Sequence, residues 1–211
     1  MIKAVLFDMD GVLIDARDWH YEALNRALEK FGMAIDRDTH LAAYDGLPTR
    51  KKLAMLTKSR GLPQGLHEFL NALKQRYTLE IAHALCKPTF AHQRALSKLK
   101  ADGMKIAVCS NSVRDTVQLM MKLAKLEEYL DLMLSNEDVA RPKPDPDMYE
   151  TAMRKLGLAP SECLIIEDND HGVEAARASG GAVLIVASPA EVTYESIANR
   201  IASLKAAASA A

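Results

Sequence analysis

Five short runs along the chain are almost unbroken in apolar residues: 2–7, 105–109, 132–134, 163–166 and 182–186. Runs of that length without a polar alternation predict strands covered on both faces, as in a parallel sheet. Between the later runs the apolar positions move to helical spacing. Ala95, Leu96 and Leu99 share a face over 91–101, which stops before Gly103 as a C-terminal cap. Val113, Val117, Met120 and Ala124 do the same over 113–124. Asp145 and Pro146 are expected as N-cap and first residue of the next helix, with Met148, Ala152, Met153 and Leu156 on its apolar face. A last helix, about 172–179, ends at Gly180-Gly181. Strands alternating with helices predict an α/β fold built on a doubly wound, Rossmann-like parallel sheet.

The stretch between the first and second strands has another character. No strand pattern occurs over 15–88. Leu24, Ala27, Leu28 and Phe31 fall at i, i+3, i+4 and i+7 of an amphipathic helix, and 50–58 and 66–84 also carry helical patterns. Gly32, Asp45-Gly46, Pro48, Gly61 and Pro63-Gln64-Gly65 break them apart. The expected organisation is an α/β core formed by 1–14 and 89–211, with a small helical domain inserted at 15–88. The Ala-rich tail from Ile201 to Ala211 is expected to fray.

Composition narrows the function classes. The 211 residues are 49% hydrophobic and 26% charged, with a formal net charge of −1. That balance points to neither nucleic acid nor an acidic membrane surface. Cys86, Cys109 and Cys163 are far apart and form no C-x-x-C pair, so neither a zinc site nor a disulfide framework is indicated. No apolar run approaches the roughly 20 residues needed to span a bilayer. The N-terminus enters a strand-like run directly, without the charged region and small-residue cleavage site of a signal peptide. A cytoplasmic monomer is expected.

The chemistry lies in where the carboxylates fall. Asp8 and Asp10 follow the first strand; Glu167 and Asp168 follow the fourth, with Asp170 close behind. Open α/β sheets bind ligands beyond the carboxyl ends of their strands, so these acids are expected to converge on one edge. Several like charges in one cleft repel unless a cation sits among them. Hard oxygen donors without His or Cys favour Mg²⁺. Ser110-Asn111 follows the second strand and precedes a helix, where a hydroxyl and helix N–H groups cradle an anion. Lys143 lies in Arg141-Pro142-Lys143-Pro144, a loop stiffened by two prolines, and offers an ammonium to a nucleophile and a phosphate.

Taken together these residues resemble the haloacid dehalogenase superfamily. Phe7-Asp8-Met9-Asp10-Gly11-Val12-Leu13 is similar to its first motif, Ser110 after an apolar strand to its second, Lys143 in Lys-Pro-Asp-Pro to its third, and Glu167-Asp168 with Gly172 downstream to its fourth. The resemblance implies that Asp8 is the nucleophile and forms an aspartyl-phosphate, and that Asp10 is the general acid and base. It implies that Asp8, the carbonyl of Asp10 and Asp168 hold Mg²⁺, with Glu167 either a ligand or the partner of one. Ser110, Asn111 and Lys143 would bind the transferring phosphoryl group.

Asp10 points within that superfamily to phosphatases and phosphomutases, since dehalogenases lack it in this role. The insertion resembles the helical cap of β-phosphoglucomutase and the small sugar-phosphate phosphatases. There His20 either helps orient Asp10 or is a helix-surface histidine. Gly46 to Arg50 occupies the position of the cap's specificity loop, where Arg50 or Lys51 grips a second polar group or simply faces solvent. Pro48 in that loop departs from the mutase pattern, and Asp170 and His171 are less usual in the family's fourth motif. The expected function is a Mg²⁺-dependent phosphatase acting on a small phosphorylated metabolite, a sugar or polyol phosphate. A phosphomutase of the β-phosphoglucomutase type is the alternative, and a catalytically silent binding module the second.

Overall fold

A computed structural model describes residues 1–209 and divides the chain into two compact units, 1–15 with 87–211, and 16–86. The first is an α/β unit. Its strands are β1 (Ala4–Phe7), β2 (Lys105–Cys109), β3 (Leu132–Leu134), β4 (Cys163–Glu167) and β5 (Ala182–Ile185). They form one parallel sheet in the order β3-β2-β1-β4-β5. The five apolar runs therefore coincide with the five strands. The edge strand β5 departs from full coverage: its Ile185 is exposed.

The helical unit contains α1 (Arg17–Leu28), α2 (Arg37–Ala43), α3 (Thr49–Arg60) and α4 (His67–Leu85). The α/β unit contributes α5 (Phe90–Ala101), α6 (Arg114–Leu123), α7 (Asp147–Leu156), α8 (Asp170–Ala178) and α9 (Tyr194–Ser209). No helix among the described residues is long and apolar enough to cross a membrane.

Three differences from the sequence pattern have local causes. Helix α7 begins at Asp147 with Pro146 as its cap, one residue later than expected; the Asp145 carboxylate instead accepts from the Asp147 N–H at 3.1 Å. Helix α2 has too little apolar periodicity to be seen, but Asp36 starts it by accepting from both the N–H and the hydroxyl of Thr39, at 2.8 and 2.7 Å. The tail from Ile201 to Ser209 does not fray. It continues α9, which packs on α5, buries Ile197 and is tied by the Arg94–Glu195 ion pair. Ala210 and Ala211 lie outside the described residues.

One face of the sheet packs Leu6, Ala107, Cys109 and Ile165 against Met148, Tyr149 and Ala152 of α7 and Ala175 and Ala176 of α8. The helical unit has its own core of Leu24, Leu28, Ile35, Leu53, Leu56, Leu62 and Leu70. It is locked by Asn25, whose carboxamide donates to the Ile35 carbonyl at 2.7 Å and accepts from its N–H at 2.9 Å.

Candidate active site

Strand order decides which residues meet. β1 is the central strand, flanked by β2 and β4. Phe7 is in register with Val108 on one side and Ile166 on the other. The next residues on the three strands, Asp8, Cys109 and Glu167, therefore stand level at the carboxyl ends. The chain leaves β1 toward β2 and later returns to its other side as β4. That reversal is the topological switch point at which open α/β sheets form their binding crevice.

Lys143 joins these strand ends. Its ammonium donates to Asp8 Oδ1 at 2.7 Å, to Glu167 Oε1 at 2.6 Å and to the Cys109 carbonyl at 2.7 Å. All three N–H bonds are thus used, and the side chain is only 3% exposed. Burial alone would lower the lysine pKa. The charges of Asp8 and Glu167 outweigh it and lift the ammonium above its ordinary value, so Lys143 stays charged. Asp8 is pushed the other way: desolvation raises its pKa well above the usual carboxylate range. Lys143 opposes that rise, while Glu167, Asp168 and Asp10 add to it.

Asp8, Glu167 and Asp168 each offer an oxygen within 4.8 Å of the others. With all three ionised against one ammonium, two negative charges are in excess, and that repulsion is part of what raises the Asp8 pKa. A hard divalent cation matches both that excess and the all-oxygen donor set. Two glycines make the cluster possible. Gly11 has φ of +90°, and a Cβ there would fall inside the Asp168 carboxylate; one on Gly172 would fall inside that of Glu167. Asp170 is outside the cluster, at the first position of α8. The cap of that helix is Asn169, which accepts from the Gly172 N–H at 3.0 Å.

Around this centre the loops brace one another. Asp10 lies two residues beyond Asp8 in a tight turn closed by the Gly11 N–H on the Ile14 carbonyl. Its Oδ2 accepts from the Ser112 hydroxyl at 2.9 Å. Ser110 Oγ accepts from the Ser112 N–H at 3.0 Å. The Asn111 carboxamide engages Lys143 twice through the backbone: it donates to the carbonyl at 3.1 Å and accepts from the N–H at 3.0 Å. Asn111 thereby staples the Ser110 loop to the lysine loop.

The remaining expected site residues belong to the helical unit. His20 lies in α1, with Nδ1 3.1 Å from the Lys74 ammonium. Gly46 is in the α2–α3 connection with φ of +69°, and Arg50 is exposed in the first turn of α3. The buried cation of α3 is Lys52, 3.5 Å from His40 Nε2.

Sequence reasoning passed over Ser112 and Tyr149. Ser112 was visible as the second serine of Ser110-Asn111-Ser112. Tyr149 was masked by the apolar stripe of its helix, although its hydroxyl bonds Glu167.

A family model described as haloacid dehalogenase-like hydrolase matches residues 5–186. The chain belongs to this family of haloacid dehalogenase-like hydrolases. The match runs from β1 to just past β5 and takes in every residue of the Lys143 cluster. Among curated proteins, the phosphorylated carbohydrates phosphatase of Thermotoga maritima is 29% identical over 179 residues, covering 85% of this chain and 82% of the relative. The β-phosphoglucomutase of Bacillus subtilis is 27% identical over 216 residues, covering 92% of this chain and 93% of its own. In fold, the crystal structure of β-phosphoglucomutase from Clostridium difficile superposes with a TM-score of 0.83 at 20% identity, over 95% of this chain and 97% of that one. The hydrolase thus shares the α/β architecture of that enzyme.

Proposed function

We propose that this hydrolase is a Mg²⁺-dependent phosphatase that cleaves a small phosphorylated metabolite, a sugar or polyol phosphate, through an aspartyl-phosphate on Asp8. The observation that carries the reading is Lys143 fixed between Asp8 and Glu167 at the switch point of the sheet, with Asp10 two residues on. The phosphatase names of the curated relatives support the same class.

The residues present fit the metal. Asp8 and Asp168 would hold Mg²⁺, with Glu167 as ligand or as the partner of one, and the backbone carbonyl of Asp10 is the further oxygen that the family resemblance supplies. Bound Mg²⁺ supplies charge neutralisation at the phosphoryl oxygens. Asp8 attacks phosphorus as the ester bond breaks, and Asp10 gives its proton to the departing oxygen. Water then attacks the phosphorus of the aspartyl-phosphate, Asp10 takes the proton, and inorganic phosphate leaves with Asp8 restored. Lys143 keeps the nucleophile in place and offsets the charge gathering on the equatorial oxygens; Ser110 contributes its hydroxyl to them. The unit 16–86 serves as the cap that selects the leaving group, with His20, Gly46 and Arg50 as its candidate contacts. The protein acts as a cytoplasmic monomer, with no nucleic-acid or membrane partner.

A phosphomutase uses the same carboxylates but passes the phosphoryl group to a bound sugar hydroxyl, and the β-phosphoglucomutase of B. subtilis favours this second reading. Phosphate release from a panel of sugar, polyol and small-acid phosphates, with Mg²⁺ and with EDTA, separates the two. Metal-dependent release is expected; isomer interconversion without release would replace the phosphatase by the mutase. Asp8→Asn is expected to abolish turnover while circular dichroism stays unchanged. Retained turnover would remove Asp8 from its role.

A further inference from the structure

Glu167 is completely buried, and its Oε1 is shared. Lys143 donates to it at 2.6 Å, and the Tyr149 hydroxyl donates to the same oxygen. Oε2 accepts from the Asp168 N–H at 3.3 Å, and the backbone of α8 closes against the carboxylate at Gly172. Tyr149 itself is fully buried in the first turn of α7, and its ring lies 4.8 Å from the Lys143 ammonium. A phenylalanine would fill the same space against Leu6, Cys109 and Ile165. The one thing the tyrosine adds is the hydroxyl, delivered to a carboxylate of the Asp8–Glu167–Asp168 cluster.

We propose that Tyr149 is a positioning residue of this metal site: it anchors Oε1 of Glu167, so that Oε2 faces the Asp168 end of the cluster. The inference rests on the reading of that cluster as a Mg²⁺ site. Without the phenol, the one side-chain donor left to Glu167 among the described residues is Lys143, which is also the donor to Asp8. The carboxylate is then held beside the lysine only by the long Asp168 N–H bond to Oε2, and it draws the ammonium toward itself. With the phenol, Oε1 has two fixed donors from two elements, and the ammonium keeps its bond to the nucleophile. Groups that hold a metal ligand in orientation typically account for about 10- to 100-fold in metal affinity or activity.

The test is calorimetric titration of Mg²⁺ into the full-length protein, its Tyr149→Phe variant, and Thr151→Val as a control. Thr151 is buried on the same helix and bonds only to Asp147 and Arg154, so its loss loosens α7 without touching Glu167. The expected result is a dissociation constant for Mg²⁺ raised about tenfold or more in Tyr149→Phe and unchanged in Thr151→Val. Equal affinity of Tyr149→Phe and wild type overturns the proposal, as does an equal loss in the control. A wild-type protein that binds no Mg²⁺ overturns the metal reading as well, which keeps the two failures apart. If Tyr149→Phe does not fold, fluorotyrosine-labelled wild type is followed by ¹⁹F NMR. A fully buried resonance that moves with Mg²⁺ and saturates at the calorimetric constant supports the role, and its invariance overturns it.

Discussion

Both units of the protein bury lysines, and in one of them an imidazole lies beside each. In the α/β unit, Lys143 is ringed by two carboxylates and a carbonyl, which raise its pKa and hold it charged. In the helical unit, Lys52 and Lys74 stand beside imidazoles, at 3.5 Å from His40 and 3.1 Å from His20. At His40 the lysine acts on the imidazole. Burial first, and the charge of Lys52 second, lower the His40 pKa to about 4. Lys143 completes a charge cluster; Lys52 adds to the burial that keeps His40 neutral. The same residue type thus balances carboxylates in one unit and opposes protonation of an imidazole in the other.

Removing Lys143 strikes this contrast hardest. Lys143→Met leaves Asp8 and Glu167 buried without their ammonium, and a stability loss of about 3–5 kcal/mol is expected. Turnover should fall on the order of 10²- to 10³-fold, because a fixed charge beside the transferring group is gone. Chemical denaturation and steady-state rates measure the two. A variant as stable as wild type would show that the cluster does not depend on its lysine.

Acid tests the helical unit. Its folded form holds His40 neutral down to about pH 4, whereas the unfolded chain takes up that proton near pH 6.5. The unfolded state therefore binds more protons between those values. The stability is complete above about pH 6.5 and is lost as pH falls toward 4, by on the order of 2–3 kcal/mol. Denaturation midpoints across that window should fall with pH in the wild type and fall less in His40→Gln. Parallel slopes would show that His40 is not the group responsible.

The mildest effect is structural and confined to one unit. Asn25→Ala deprives the Ile35 N–H and carbonyl of their partner inside the helical core. A cost on the order of 1–2 kcal/mol is expected, with the Mg²⁺ affinity of the α/β unit unchanged. A change in that affinity would break the separation between the two regions.

How much of this was legible depended on whether a residue's role is local. The strands were legible because each is an unbroken apolar run, and α1, α3 and α4 because their apolar residues repeat at helical spacing. Helix α2 was not, because it rests on a cap at Asp36 rather than on a stripe. Asp8, Asp10, Ser110, Lys143, Glu167 and Asp168 stood out because each ends or follows an apolar run or sits in a proline-bound loop. Tyr149 and Ser112 did not, because their partners are 18 and 102 residues away.

The sequence by itself determined the alternation of strand and helix, the all-oxygen chemistry at the strand ends, and membership of a hydrolase family through motifs in order. Those are properties of residue type and spacing, which the chain carries unfolded. Only the tertiary structure decided which atoms meet. It set β1 between β2 and β4, brought Lys143 onto Asp8 and Glu167 across 135 and 24 residues, and turned Asn111 onto the lysine backbone. It also singled out Lys52, not Arg50, as the cation buried in α3. Spacing places a side chain at a strand end or on a helix face, whereas a hydrogen-bond partner is chosen by the distance between segments that the sequence keeps far apart.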